Sequence, residues 1–212
     1  MNKVWIIGTS SFSIDIGLRF NLIPGEGNIF MGFLDERPDH IQECSDEIKK
    51  YGLINQEVRS PESIDFNDRS NRIMFGISNP SFKYDFMQKY NIDQSQLHDF
   101  RIDTYFSEHS DVKPGIYFNT KTSNIISIGY GNFMDSNTIV GHDCHIGNYN
   151  HISLSVILCG SCKIGDRNII HPGAIITRDV CIEDDCVIGA GCIITRDIKS
   201  GSTLVSPGPT KI

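Results

Sequence analysis

Residues 140–170 read VGHDCHIGNYNHISLSVILCGSCKIGDRNII. Every sixth residue of that stretch is a large aliphatic: Val140, Ile146, Ile152, Leu158, Ile164 and Ile170. Followed outward, the same phase picks up Ile116, Thr122, Ile128 and Met134 on one side and Ile176, Ile182, Ile188 and Ile194 on the other. Thirteen of these fourteen positions are large aliphatics, which chance gives in fewer than roughly one in a thousand chains of this apolar content. Neither the helical period of about 3.6 nor the strand period of about 2 produces a strict repeat of six.

A second position confirms the phase. Four residues after each aliphatic stand small or modest side chains: Thr138, Cys144, Val156, Cys162, Ala174, Val180, Cys186 and Cys192. Glycine often follows the aliphatic directly, at Gly129, Gly141, Gly147, Gly165 and Gly189. This hexapeptide pattern predicts a parallel β-helix, in which three hexapeptides close one triangular coil of eighteen residues. The aliphatic points inward, the small residue fits near a corner, and the glycine is expected to relieve the turn. Coils stack one strand spacing apart, about 4.8 Å. Residues 116–199 supply between four and five coils.

The first hundred residues lack this period. Lys3 to Gly8, Asn28 to Asp35 and Arg72 to Ser78 read as strands. Ser10 to Phe20 reads as a helix capped by Ser10 or Ser11, and Pro80 to Tyr90 as another with Pro80 in its first turn. That order suggests a small parallel α/β unit. The expected division is a Rossmann-like domain over 1–105 and a β-helix over 106–212, with Gln94 to Pro114 as a connection of no strong pattern. The loops around 36–60 and 80–110 are expected to set specificity and carry no readable code.

Composition narrows the function. The chain has 212 residues, 39% apolar and 21% charged, as in an ordinary globular protein. No apolar run is long enough for membrane insertion. Met1 to Phe12 holds only a four-residue apolar run, too short for a secretory signal, so a cytoplasmic location is expected. The net charge of −7 argues against nucleic acid or an anionic membrane as the main partner. Seven cysteines, six of them between 144 and 192, read as reduced packing residues rather than a disulfide framework.

The run Val140-Gly141-His142-Asp143-Cys144-His145-Ile146-Gly147, the following Asn150-His151-Ile152-Ser153 and the terminal Pro209-Thr210-Lys211 resemble the sugar O-acyltransferases of the sialic-acid O-acetyltransferase type. That family includes N-acetyltransferases of nucleotide-linked 4-amino sugars of the bacillosamine, viosamine and perosamine kind. The resemblance is carried by Ser136 to Ile212 and, less closely, by Met1 to Pro38. It implies a left-handed β-helix, a homotrimer, a nucleotide-sugar substrate held by the N-terminal unit, and acetyl-CoA in a groove between neighbouring β-helices. It implies no metal.

Residue by residue, His142 falls two places after an inward aliphatic, so it points outward at a corner, and the family's general base lies there. Asp143 takes the place of the acid that orients this base. His151 matches a second histidine near the thioester, and Ala190 and Lys211 match positions along the CoA. Gly160, eighteen residues after His142, is expected to stack on it and to offer an N–H to the thioester oxygen. In the N-terminal half only the first glycine of the family's Gly-x-x-Gly-x-Gly turn survives, as Gly8, with Ser11 and Ser13 in place of the others. Ser10, Ser11 and the helix N-terminus remain candidates for a phosphate, and Asp35 for the nucleoside. Asp135 stands where the family has asparagine, either binding an ammonium group or competing for His142.

The resulting expectation is an acetyl-CoA-dependent N-acetyltransferase of a nucleotide-linked amino sugar, serving bacterial surface glycan synthesis. The alternatives are O-acetylation of a sugar hydroxyl, a zinc-dependent β-helix lyase with interface histidines binding the metal, and a trimeric binding module without activity. His142, Cys144 and His145 form a separate candidate set of metal ligands. Against zinc, Cys144 occupies a small repeat position and should turn inward.

Overall fold

The computed structural model describes residues 1–22, 27–102, 104, 106, 110–118, 120–123 and 125–206. Lys211 therefore lies outside the described residues. The chain divides into two compact units, Met1–Ser78 with Asp85–His98, and Asn79–Tyr84 with Asp99–Ile212.

The first unit holds β1 (Asn2–Ile7), α1 (Ser11–Leu22), β2 (Asn28–Leu34), α2 (Pro38–Lys50), β3 (Glu57–Arg59) and β4 (Asn71–Phe75). The strands form one parallel sheet in the order β3-β2-β1-β4. Val4, Trp5, Ile6 and Ile7 of β1 are all buried, as a central strand covered on both faces requires. Ser10 caps α1, its Oγ accepting the Ser13 N–H at 3.3 Å. Gly32 has φ 137°, and a Cβ there would strike the Glu57 carbonyl, so this place in β2 admits only glycine. The stretch 36–60, expected as loops, carries α2 and β3 instead. Helix α2 escaped the sequence reading because only Cys44 and Ile48 of its thirteen residues are buried, too few for a visible apolar period.

The second unit is a left-handed parallel β-helix of three sheets. The first contains seven strands, among them Phe133–Met134, His151–Ile152, Ile169–Ile170 and Val187–Ile188. The second stacks Lys121–Thr122, Ile139–Val140, Ile157–Leu158, Ile175–Ile176 and Ile193–Ile194. The third stacks Asp111–Val112, Ser127–Ile128, His145–Ile146, Lys163–Ile164 and Cys181–Ile182. Each residue of the repeat pairs with the one eighteen places on, as Ile139 does with Ile157 and Ile157 with Ile175. From Ile128 to Ile194 every sixth residue lies in one continuous buried core.

Three details differ from the sequence reading. Tyr117, not Ile116, points inward in the first coil, because Tyr117 pairs with Met134 while Ile116 pairs with Phe133. The next inward residue is Thr122, so this coil is one residue short of the hexad. The glycines after the aliphatics do not make the turns either. Positive φ falls two residues later, at every sixth position from Ile125 to Gly191, and only Gly131, Gly173 and Gly191 of these are glycine. Gly141 and Gly147 are needed for close approach: a Cβ at Gly141 would lie 2.6 Å from the Gly160 nitrogen, and one at Gly147 2.7 Å from the Gly165 oxygen.

At the corner between the third and first sheets the small position is asparagine. Asn132, Asn150 and Asn168 stack as a buried ladder. The Asn132 Oδ1 accepts the Asn150 N–H, the Asn150 Oδ1 accepts the Asn168 N–H, and the Asn168 Oδ1 accepts the Cys186 N–H, each at 2.8 Å. The ladder satisfies corner amides that no strand pairs. Outside the prism the second sheet presents Ile139, Ile157, Ile175 and Ile193, with Ile139 and Ile193 44% and 64% exposed.

Candidate active site

His142 sits at the corner where the chain leaves the second sheet. Asp143 has φ 59°, one of the left-handed corner residues. Its carboxylate Oδ2 lies 2.7 Å from His142 Nδ1. A carboxylate only accepts, so Nδ1 carries a proton, and in the neutral ring Nε2 then keeps its lone pair. Both side chains are about half exposed, within reach of a substrate. Gly160 lies one coil on and directly against this ring: a Cβ there would be 2.6 Å from Nε2. The Gly160 carbonyl accepts the Asp179 N–H at 3.1 Å, while its own N–H has no acceptor among the described residues.

The remaining β-helix residues singled out by the sequence lie elsewhere on the prism. Asp135, Ser153, His171 and Gly189 form one column at the corner between the first and second sheets, with Ala190 exposed beside it. The Asp135 Oδ1 accepts the Ser136 N–H at 2.7 Å. His151 lies on the first sheet, stacked on Phe133 with centroids 4.9 Å apart. Burial, then Lys83 and His171, depress its pKa to about 3, so the imidazole is neutral near pH 7. The structure therefore brings His142, Asp143 and Gly160 together within one chain and leaves Asp135, His151 and Ala190 beyond the second sheet. Sequence reasoning missed Lys83, which is fully buried, reaches only the Gly131 carbonyl, at 3.5 Å, among the described residues, and has its pKa lowered to about 7 by burial.

In the first unit Thr9, after β1, and Asp35, after β2, meet at the carboxyl end of the parallel sheet, where open α/β sheets place ligands. Burial opposes the Asp35 charge. Hydrogen bonds from the Arg37 guanidinium and the Thr9 hydroxyl outweigh it and hold the carboxyl at about 2. Ser10 and Ser11 are exposed at the start of α1. Ser13 is buried instead, donating to the Gly76 carbonyl at 2.8 Å. Thr9 and Arg37 carried no sequence signal of their own.

Five of the seven cysteines are buried, and Cys159 and Cys181 are half-buried. The Cys162 thiol pulls the Cys144 pKa down to about 7, but Cys144 is sealed inside the prism and donates to the Cys159 carbonyl at 3.1 Å. His145 points out from the third sheet to Ser127 Oγ, 2.7 Å away, so His142, Cys144 and His145 do not converge. Among the described residues Asp35, His40 and Cys44 do bring ligand atoms within 4.8 Å of one another. Both Asp35 oxygens, however, are already engaged, by Thr9 and by three donors of Arg37, so a guanidinium holds the place of a cation there.

Residues 161–196 match the family model described as bacterial transferase hexapeptide (six repeats). The repeat is that of the bacterial hexapeptide transferases. No curated protein matches the chain. Among solved structures it is similar to PerB from Caulobacter crescentus in complex with CoA and GDP-perosamine, at 16% identity and a TM-score of 0.62, covering 97% of this chain and 95% of that one. It is also similar to the acetyltransferase domain of PglB from Neisseria gonorrhoeae FA1090, at 17% identity and a TM-score of 0.59, covering 97% of each. These likenesses span both units of the hexapeptide-repeat chain and establish its fold. No helix among the described residues is long and apolar enough to cross a membrane.

Proposed function

We propose that the protein is an acyltransferase that moves an acetyl group from acetyl-CoA to the amino group of a nucleotide-linked amino sugar. The observation that carries this reading is the His142 corner: Nδ1 bonded to Asp143, with Nε2 facing Gly160. Asp143 fixes the tautomer that leaves Nε2 basic. Nε2 removes a proton from the sugar amine as its nitrogen attacks the thioester carbonyl. The Gly160 N–H donates to the oxyanion of the tetrahedral intermediate. The C–S bond then breaks, and the proton passes from the imidazolium to the departing thiolate of coenzyme A. The acetyl group goes directly to the acceptor, whose amine is the nucleophile. The similar structures in complex with CoA and GDP-perosamine support the donor and the substrate class.

The same reading assigns assembly and substrate binding. His151, Asp135 and Ala190 lie across the second sheet from His142, so one chain does not complete the site. Three copies packed through the isoleucines of the second sheet would set one chain's His142 corner beside the next chain's Asp135 corner, and acetyl-CoA would lie in that groove. Thr9, Ser10, Ser11 and Asp35 take the nucleotide-sugar, and the enzyme works in the cytoplasm.

The test is a mass-spectrometric screen of the protein and His142→Ala with acetyl-CoA and a panel of nucleotide 4-amino sugars and their hydroxyl counterparts. One acetyl group gained by an amino sugar, and lost in the variant, is the expected result. Transfer only to hydroxyl sugars would make the protein an O-acetyltransferase. CoA binding without transfer to any sugar would leave a binding module.

A further inference from the structure

Lys83 stands in the first turn of the helix Pro80–Lys89, within the segment Asn79–Tyr84 that packs with the β-helix. The next residue anchors it there. The Tyr84 ring meets Tyr149 edge-on at 6.1 Å, and the Arg167 guanidinium lies over it at 5.5 Å. Tyr149 and Arg167 follow Gly131 at intervals of eighteen, down one corner of the prism. Lys83 itself has no exposed surface. Its nitrogen carries N–H donors in either charge state, and among the described residues they meet one acceptor, the Gly131 carbonyl at 3.5 Å. Burying an amine so thinly paired is costly, and a methionine would fill the same space without that cost. Packing alone therefore does not account for a lysine at this place.

Two residues beyond Gly131 the chain reaches Phe133, whose ring stacks on His151 of the next coil with centroids 4.9 Å apart and planes 20° apart. The stack fixes the plane of the imidazole. Within that plane the two nitrogens differ. Nδ1 is sealed from solvent and has no hydrogen-bond partner among the described residues, whereas Nε2 remains open on the half-buried ring. The charge-bearing groups felt by this ring are Lys83 first and then His171. A proton on Nδ1 would leave a buried N–H without an acceptor and turn its positive end towards the amine. A lone pair on Nδ1 faces the amine favourably, and the proton then sits on Nε2.

We propose that Lys83 is a positioning residue, whose buried amine holds His151 as a neutral ring with its proton on Nε2, so that His151 serves as a hydrogen-bond donor. His142 is held in the opposite form, with Nδ1 protonated against Asp143. An acid thus makes one histidine a base, and a buried amine makes the other a donor. The inference rests on the reading that sets His151 of one chain across the groove from His142 of the next. A second base there would compete for the proton of the amine. A donor instead stabilises the negative charge that develops on the thioester as the amine attacks, and the amine beside Nδ1 strengthens it by polarising the ring.

The test reads the tautomer directly. Full-length protein labelled with 15N-histidine is measured by two-bond 1H–15N correlation as wild type, Lys83→Met and His151→Ala, the last assigning the His151 signals. Wild-type His151 should show a protonated Nε2 and a bare Nδ1. In Lys83→Met a fraction protonated on Nδ1 should appear, with the His142 signals unchanged and no fall in melting temperature. Losing a donor to the oxyanion outright costs about 10²–10³-fold in kcat, so His151→Ala should approach that loss and Lys83→Met, which only weakens the donor, should cost about tenfold. Lys83→Met should cost little further in the His151→Ala background, since the lysine acts through the ring. A wild-type His151 protonated on Nδ1 overturns the proposal, as does a His151 pattern untouched by Lys83→Met. An equal loss of kcat from Lys83→Met with and without His151 also overturns it, and gives the lysine a purely structural part. A His151→Ala protein with full kcat would instead overturn the placing of His151 in the groove, and the spectra would still decide whether Lys83 sets its tautomer.

Discussion

Gly160 lies against the imidazole of His142 one coil away, so close that a Cβ there would stand 2.6 Å from Nε2. The φ of Gly160 is not left-handed, so the backbone tolerates alanine and the conflict is with the ring alone. Gly160→Ala should therefore fold normally and displace His142. Misplacement of a catalytic group by about an ångström costs on the order of a hundredfold in rate. We expect kcat to fall about tenfold to a hundredfold with an unchanged melting temperature. Full activity would mean that Nε2 does not work from this position.

The His142–Asp143 hydrogen bond leads to a second expectation. Asn in place of Asp143 offers the ring no carboxylate, so the Nδ1–H tautomer is no longer enforced. Asp143→Asn should lower kcat, and His142→Ala should lower it by about 10²–10⁴-fold. Combining the two should cost little more than His142→Ala alone, since the acid acts through the histidine. Additive losses, measured by steady-state kinetics, would show that Asp143 contacts the substrate independently.

The β-helix was legible because its signal is a single period repeated through the whole unit, from Ile128 to Ile194. The His142 corner was legible for the same reason: a fixed coil length sets Gly160 beside His142 without any need to know side-chain packing. The asparagine ladder followed the same spacing, but Asn132, Asn150 and Asn168 were not sought at a small-residue position. What no period reports is what meets between distant segments. Thr9 bonded to Asp35, and Lys83 buried beside Gly131, are products of tertiary packing. The slip at Tyr117 was hidden because Ile116 satisfies the period although Tyr117 fills the core.

Lys83 and His151 make stability depend on pH in the same sense. Burial lowers the Lys83 pKa from 10.5 to about 7, so between these values the unfolded chain binds a proton that the fold does not. Stability therefore rises as pH increases from about 7 towards 10.5. His151, lowered from 6.5 to about 3 chiefly by burial, adds a loss of stability as pH falls below 6.5. Lys83→Met should remove the upper dependence, leave the lower one, and stabilise the protein by about 2 kcal/mol at pH 7. Denaturant midpoints at pH 6, 7 and about 9 measure this, and a variant that keeps the wild-type slope above pH 7 would rule out Lys83 as its source.

The isoleucine ladder of the second sheet gives the test of assembly. Ile139, Ile157, Ile175 and Ile193 point away from the core, so a charge at Ile175 costs an isolated prism little. The same charge inside an interface between copies would be buried without a partner, at a cost of several kcal/mol. Ile175→Glu should therefore sediment as a monomer, keep its circular dichroism spectrum and lose activity, because the His142 corner is then parted from the Asp135 corner of its neighbour. Mixing His142→Ala with His151→Ala should restore part of the activity in mixed assemblies, since some grooves then carry an intact His142 from one chain and an intact His151 from the next. A fully active monomeric Ile175→Glu would place the whole site within one chain.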